Sequence, residues 1–435
     1  MSTSRRGFLK GAGVAAAVAL AQPTLAAADD SKPLPEAIAA LKSRKSEATP
    51  ITPEERAERL ERARRLMGEN RLDAIFLCGG TSLKYFSGIS WWLSERLFAM
   101  VLPAKGKPFF VCPAFEQDRA QEQIENGLGW KDPEMRLWQE DDSPYERVAA
   151  GLKERGLSSG TLGIEERVFW VYSEGVGKAA PGMRMSSATP ITAGCRMHKT
   201  AHELALMTLA NEVTLAAYEA AYRSLKEGMT QHDFADFVEK AHARQGFDGG
   251  AGVQVGEYSA LPHGSVKPQT IKEGAILLID GGCSVEGYDS DISRTFVLGR
   301  PSDKMKQVFE IVHRAQAAAL AAAKPGVEAQ SVDAAARKVI TDAGYGPDYK
   351  YFTHRVGHGI GMDGHEWPYL VRGDAIKLEP GMCFSDEPGI YIRGEFGVRL
   401  EDCMHITADG AQTFTPRSPS LDEPFARSTA ATSRG

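Results

Sequence analysis

Cysteine is scarce in this chain. There are six in 435 residues, at Cys78, Cys112, Cys195, Cys283, Cys383 and Cys403, and no two form a C-x-x-C pair. That excludes a zinc ribbon and a thioredoxin-type redox site. A chain of this length needs no disulfide framework, so buried thiols are expected. The H-E-x-x-H zinc motif is also missing: His365-Glu366 meets Tyr369 where the second His would stand, and His202-Glu203 meets Leu206. No long basic run occurs, and 51 Lys+Arg against 57 Asp+Glu leave a formal charge of -6. Nucleic acid is therefore not an expected partner. No segment approaches the ~18 continuous apolar residues of a membrane span, and no internal repeat is visible. With 43% hydrophobic and 25% charged residues, neither disorder nor a collagen-like chain describes the whole. At roughly 150 residues per domain, two or three domains are expected.

The first 28 residues carry an address. Ser4-Arg5-Arg6-Gly7-Phe8-Leu9-Lys10 is a twin-arginine pattern, followed by an apolar run from Gly11 to Ala21 and small residues at Leu25-Ala26-Ala27-Ala28. A charged start, a short apolar stretch and an A-x-A-like cleavage site make a signal peptide. Residues 1–28 are set aside from the fold, and a periplasmic or otherwise exported mature protein is expected. The twin-arginine route is similar to the bacterial pathway for already folded proteins, which suits a protein that takes up metal first.

Residues 29–50 read as a polar leader. Thr52-Pro53-Glu54-Glu55 opens a helix, with a capping Thr, Pro in the first turn and acids behind it. Short apolar runs at Ala74–Cys78, Phe98–Leu102 and Pro108–Val111 read as strands, and Tyr145–Arg155 as a helix. The alternation predicts an α/β domain over residues 51–190. A boundary is expected between Thr189-Pro190 and Thr200. Helices follow at Ala201–Leu225, Gln231–Gln245, Lys304–Ala323 and Val332–Ala343. Strands are expected at Ala275–Ile279, Asp291–Leu298, Met382–Asp386, Ile390–Ile392 and Glu401–Ile406. The second domain spans residues 195–420, and residues 425–435 read as a loose Ser/Thr/Ala-rich tail.

The chemistry lies between His263 and Glu401. Asp280 ends the apolar strand Leu277-Leu278-Ile279, and Asp291 opens the next one. A carboxylate on a buried strand is costly unless it is paired or bound to a metal. His354-Arg355-Val356-Gly357-His358-Gly359-Ile360-Gly361 then leads to His365, and Glu387 and Glu401 each flank an apolar strand. Asp280, Asp291, His358, Glu387 and Glu401 make four carboxylates and one imidazole. This donor set suits Mn²⁺ and similar divalent ions better than a soft, thiolate-loving one. Five ligands exceed what one catalytic Zn²⁺ needs and suffice for two ions sharing bridging carboxylates.

Residues from about Thr200 to Thr415 resemble the pita-bread metallopeptidases: methionine aminopeptidases, Xaa-Pro aminopeptidases and Xaa-Pro dipeptidases (prolidases). The resemblance rests on those five residues, in the family's order and with its flanking residues. Arg64–Met67, Asp73-Ala74 and Tyr85-Phe86-Ser87-Gly88 resemble the creatinase-like N-terminal domain. The implied fold is α+β: a pita-bread catalytic domain behind a smaller α/β domain. The implied activity is hydrolysis of the Xaa-Pro imide bond, most readily of dipeptides, by a hydroxide bridging two divalent metals. Mn²⁺ is expected, with Co²⁺, Zn²⁺ or Fe²⁺ also fitting. Asp280 would chelate one ion, Asp291 and Glu401 would bridge, and His358 and Glu387 would complete the other shell. Glu387 would also act as general base. His263 and His365 match the substrate-facing histidines, and His354 and Arg399 match further near-site positions. A homodimer is implied, with Trp91-Trp92 and Arg96 at the site mouth. An Xaa-Pro aminopeptidase, and an organophosphate-type hydrolase on the same metals, are the alternatives. Intact ligands argue against a metal-free creatinase and against a non-catalytic scaffold.

A dipeptidase must also read the free carboxylate of its substrate. Many prolidases carry Arg four residues after the histidine that His365 matches, and here Tyr369 stands there. Arg372 or Arg399 is the expected substitute.

Overall fold

The computed structural model describes residues 33–425. The signal-peptide reading and all of the tail except Phe425 lie outside the described residues. Phe425 itself packs its ring against Tyr222. The expected leader is in part structured. Glu36–Ala39 forms a helical turn that buries Ile38, and Arg44 pairs with Glu47 and Glu212 while its amide donates to the Gln245 carbonyl.

The first half is built on a six-stranded mixed sheet. Its strands are Met135–Trp138, Phe109–Pro113, Ala99–Pro103, Ala74–Cys78, Gly160–Ile164 and Met183–Ser187, in that spatial order. Ala74–Cys78 is buried along its whole length because helices cover both faces of the sheet. Strand alternation divides it: Ile75 and Leu77 enter one core, and Ala74, Phe76 and Cys78 the other. The helix Pro53–Asn70 begins at a reciprocal capping box, with Glu55 N–H donating to Thr52 and Thr52 N–H to Glu55. The helix Gln117–Leu128 escapes a periodicity search because it is mostly polar, yet Ala120, Ile124, Gly127 and Leu128 sit at helical spacing on its buried side.

The stretch expected to hold the boundary is itself structured and buried. Thr189–Arg196 is a helix whose Ile191 and Cys195 are buried in the same core as Leu60 and Met67 of the first long helix. From Glu36 onward the chain forms one compact unit.

The second half carries two sheets and a hairpin. Ile276–Val285 lies between Gly249–Val255 and Ile292–Val297, all antiparallel, with the short Tyr288–Asp289 at its end. The Gly-rich segment Gly249–Val255 shows little strand propensity in sequence, but a side chain would not fit there: a Cβ at Gly249 would meet the Cys283 Cβ at 2.6 Å. The second sheet runs Glu366–Leu370, Gly357–Gly359, Cys383–Asp386, Asp402–Ile406, Ala411–Thr413. Gly389–Ile392 and Phe396–Arg399 form the hairpin. The helices Ala201–Arg223 and Gln231–Gln245 pack on the first sheet, and Asp303–Ala322 and Ala329–Asp342 on the second.

Arg294 joins the two sheets. It is fully buried, donates from Nη1 to the Glu401 carbonyl (2.8 Å), and pairs through Nη2 with Asp402 (2.7 Å). Removing one partner strands a desolvated charge on the other. Asp402→Ala is expected to cost about 3–5 kcal/mol in denaturant unfolding. Asp342→Ala, which breaks the solvent-exposed pair with Lys338, should cost under about 1 kcal/mol. Equal losses in the two variants would remove Arg294 as the joint between the sheets.

Candidate active site

The register of the strands carries the acids to one point. Asp280 stands directly opposite Ser293, and Asp291 lies two residues before Ser293, on the same side of its strand. In the other sheet Asp386 opposes Asp402, so Glu387 and Glu401 emerge next to each other, one residue beyond and on the opposite face. His358 comes from the short strand Gly357–Gly359, next to Cys383–Asp386. Close packing there needs glycine: a Cβ on Gly357 would lie 2.1 Å from the Ser385 carbonyl oxygen.

The five expected ligands meet in overlapping groups. Asp280, Asp291 and Glu401 offer oxygens within 4.8 Å of one another, as do the donor atoms of His358, Glu387 and Glu401, with Glu401 common to both sets. A third set joins Asp291, His358 and His365. His358 Nδ1–H donates to the Gly359 carbonyl (3.1 Å), which turns the Nε2 lone pair toward Glu387 (3.3 Å) and Asp291 (3.8 Å). Burial, then the neighbouring His365, pushes His358 down to about 3, so it is a neutral ligand near pH 7.

These acids burden one another. Burial first, then Asp280 and Glu387, raises Asp291 well above the usual carboxylate range; burial, then Asp291, does the same to Glu401. Burial lifts Glu387 to about 7 despite the opposing charge of Arg399. Asp280 is the exception. Burial pushes it up, but Arg399 Nη2 at 2.7 Å and the Ser293 hydroxyl outweigh that and hold it below the ordinary value. Glu401 Oε1 is buried and has no hydrogen-bond partner. An oxygen-rich set with an orphaned buried acceptor and mutually repelling carboxylates fits divalent cations with hard, oxygen-preferring chemistry.

A cavity of about 720 Å³ opens over the acids and includes Leu261, His263, Thr353, His354, Arg355 and His365 in its walls. His263 and His354 therefore lie where the sequence placed them. His354 Nδ1–H donates to the Arg355 carbonyl (2.8 Å) and Nε2 accepts from the Tyr391 hydroxyl (2.7 Å). Burial, then Arg399, pushes His354 down to about 3, in keeping with a neutral ring in that pattern. The His365 ring stacks on His358 at 3.7 Å between centroids, and its Nδ1 accepts from Arg355 Nη2 (3.2 Å).

One expectation is corrected by placement. Arg372 does not reach the site: it is 58% exposed, pairs with Asp348 (2.9 Å), and lines a different cavity with Gln330 and Asp333. It follows the strand Glu366–Leu370 into a turn that leads away from the acids. Arg399 is in the cavity wall, as expected, and most of its donors are committed. Besides Asp280 it donates to Ser293 Oγ, the Pro262 carbonyl and the Tyr391 hydroxyl, and it is 3% exposed. Trp91 and Trp92 line a separate cavity with Thr81 and Lys84, under Arg119 rather than Arg96, and Arg96 pairs with Glu140.

Ser293, Tyr391 and Arg355 were missed in the sequence. Ser293 Oγ is 2.7 Å from Asp280 Oδ1 and from Glu401 Oε2, so its single proton is shared between two carboxylates. Strand alternation from Asp291 would have found it. Tyr391 belongs to the hairpin, and only the tertiary fold brings it to His354. All six cysteines are buried free thiols, as expected.

A model of metallopeptidase family M24 matches residues 205–408, and one of the creatinase/prolidase N-terminal domain matches residues 59–198. The Xaa-Pro dipeptidase of Lactobacillus delbrueckii subsp. lactis is 36% identical over 363 residues, 81% of this chain and 95% of that protein. The chain belongs to metallopeptidase family M24. Dipeptidase PepE from Mycobacterium ulcerans superposes with a TM-score of 0.80 at 33% identity, covering 86% of this chain and 99% of that one. An X-Pro aminopeptidase from Thermotoga maritima superposes at 0.69 with 26% identity, covering 84% and 99%. This M24 chain is thus an enzyme with a pita-bread domain behind a creatinase-type N-terminal domain. Among the described residues no helix is long and apolar enough to cross a membrane.

The raised carboxyls make a stability prediction for the metal-free enzyme. Above about pH 7.5 imidazoles, with an ordinary value near 6.5, are nearly all neutral in the unfolded chain as well as when buried in the fold, and drop out. Glu387, Asp291 and Glu401 still hold protons in the folded state that the unfolded chain has lost, so stability falls as pH rises. Chelator-treated protein should therefore melt at lower temperature at pH 9 than at pH 7.5, while metal-loaded protein should not. A metal-free melting temperature flat over that range would show that the acids do not repel one another as described.

Proposed function

We propose that this enzyme hydrolyses the imide bond of Xaa-Pro dipeptides with two divalent cations, Mn²⁺ foremost. The observation that carries the reading is the sharing of Glu401 between two ligand groups, which supports two adjacent cation positions. The relative from Lactobacillus, named an Xaa-Pro dipeptidase, supports the substrate class. Asp280, Asp291, His358, Glu387 and Glu401 would hold the ions. When bound, the cations would supply a water activated for attack near neutral pH.

The protein's own groups do the rest. Glu387 takes a proton on Oε2, the oxygen that Ser385 does not engage, and returns it to the leaving proline nitrogen. Because Arg355 donates to His365 Nδ1, the neutral His365 carries its proton on Nε2 and donates it to the scissile carbonyl oxygen as charge develops. His263, another cavity-wall residue, is assigned the same duty. Arg399 holds Asp280 in place and keeps it ionised.

Purified Mn²⁺-loaded protein is expected to cleave Ala-Pro and to leave Ala-Pro-Ala largely intact. Preferential cleavage of the tripeptide would replace the dipeptidase reading with an aminopeptidase one. Failure on both with metal bound would point to a non-peptide hydrolase on the same acids.

We also propose export of the folded enzyme through the twin-arginine route, supported by Arg5-Arg6 and the apolar run that follows. Replacing Arg5 and Arg6 together by Lys should trap activity in the cytoplasmic fraction. Unchanged export of that variant would refute the route.

A further inference from the structure

Between the helix Ala329–Asp342 and the strand Gly357–Gly359 the chain has no regular structure, yet it carries Thr353, His354 and Arg355 into the cavity wall. Buried backbone groups in such a segment need partners. Asp333 and Arg337, on that helix, supply them. The two stand one turn apart on one side of the helix and are 2% and 6% exposed. Arg337 Nε and Nη2 donate to the Asp333 carboxylate (3.0 and 2.9 Å). The remaining donors take three carbonyls of the irregular segment: Nη1 those of Asp348 (3.1 Å) and Phe352 (3.0 Å), and Nη2 that of His354 (2.8 Å). All five N–H groups of the guanidinium are thus used. Asp333 Oδ1 also accepts from the Val356 N–H (3.0 Å). The Phe352 ring lies against the guanidinium, its centroid 4.2 Å from Cζ.

We propose that the Asp333–Arg337 pair is a positioning unit of the active site: by gripping residues 348–356 it fixes Glu387 and His354. The link to Glu387 is short. Val356 gives its N–H to Asp333, and its carbonyl accepts from the Glu387 N–H (2.8 Å), so a single residue joins the pair to the general base. His354 is held at its carbonyl by Arg337, while its ring meets the Tyr391 hydroxyl. The base role of Glu387 rests on the Xaa-Pro reading above; the grip on its backbone does not. A buried ion pair is weak grounds for stability, because apolar residues of equal volume often serve as well. Here leucine or methionine would leave three carbonyls and one amide without partners. Lysine would keep the charge but offer only three donors for these acceptors. The pair is therefore matched to the segment it holds rather than to the core around it. Displacing a reacting group by about 1 Å costs on the order of 100-fold in rate. Groups behind metal ligands act on metal affinity in a similar range.

The test uses Arg337→Lys and Asp333→Asn, which keep size and polarity, with Ile340→Ala as a packing control in the apolar core of the same helix. At saturating Mn²⁺ both pair variants should lose roughly 10- to 100-fold in kcat on Ala-Pro, with KM within about threefold of wild type. Mn²⁺ affinity, read by calorimetry, should weaken about tenfold. Amide hydrogen exchange should speed up in residues 352–358 and 384–388 and keep the wild-type rate in Ala74–Cys78. Ile340→Ala should melt at lower temperature and keep its kcat. A kcat loss in Ile340→Ala equal to that of the pair variants would overturn the proposal and leave a purely structural ion pair. Wild-type kcat in both pair variants would overturn it as well. If the wild type cleaves no Xaa-Pro peptide, that reading fails, and hydrogen exchange with Mn²⁺ affinity decides the proposal alone. Faster exchange confined to the two segments, with weaker Mn²⁺ binding, would uphold it; exchange unchanged, or raised throughout the chain, would sink it.

Discussion

Everything in this molecule answers to the repulsion among Asp280, Asp291, Glu387 and Glu401. Four carboxylates held within one cavity, three of them driven toward protonation by burial and by each other, are not a stable arrangement alone. The fold offsets part of the cost with one cation, Arg399, and one shared proton, that of Ser293. What remains is an affinity for divalent ions. That unrelieved charge is why a metallopeptidase site can be read from protein atoms alone.

The architecture serves to hold these groups against their mutual repulsion. Two sheets each supply two acids, and Arg294 locks one sheet to the other where the acids meet. The histidine end is braced from the first half of the chain. Glu366, the residue after His365, is buried against Lys199 (2.6 Å) and Arg196 (3.3 Å), and Arg196 also pairs with Asp363, as does Arg167. The creatinase-type half therefore fixes the segment that presents His365, besides carrying a core of its own. The acid cluster and the ion pairs that brace Glu366 are different charge networks that meet at the His358–His365 stack.

Much of the site was legible because its chemistry is local. Asp280 betrays itself by ending an apolar strand, and the segment around His358 is dense in imidazoles and in glycines that close packing requires. Strands such as Ala74–Cys78 were legible because five consecutive apolar residues admit few other fates. Gly249–Val255 was not, because its strand character comes from the neighbour that needs glycine opposite it. The helix Thr189–Arg196 was not legible either: Pro190 reads as a break, while in the fold it occupies the first turn of a helix, where its missing N–H costs nothing.

By itself the sequence determined which residues bear the reactive groups and that they form a divalent-metal set, since ligand type and the apolar strands around it are properties of the chain. Only the tertiary structure decided how far each arginine near the site is already satisfied. Arg355, Arg372 and Arg399 are equivalent as letters. They differ in what surrounds each guanidinium: Asp348 and solvent for Arg372, four committed acceptors for Arg399, and for Arg355 an aromatic platform with an unspent fork over the acids. Charge is written in the sequence, but whether a charge is already satisfied depends on neighbours far away along the chain.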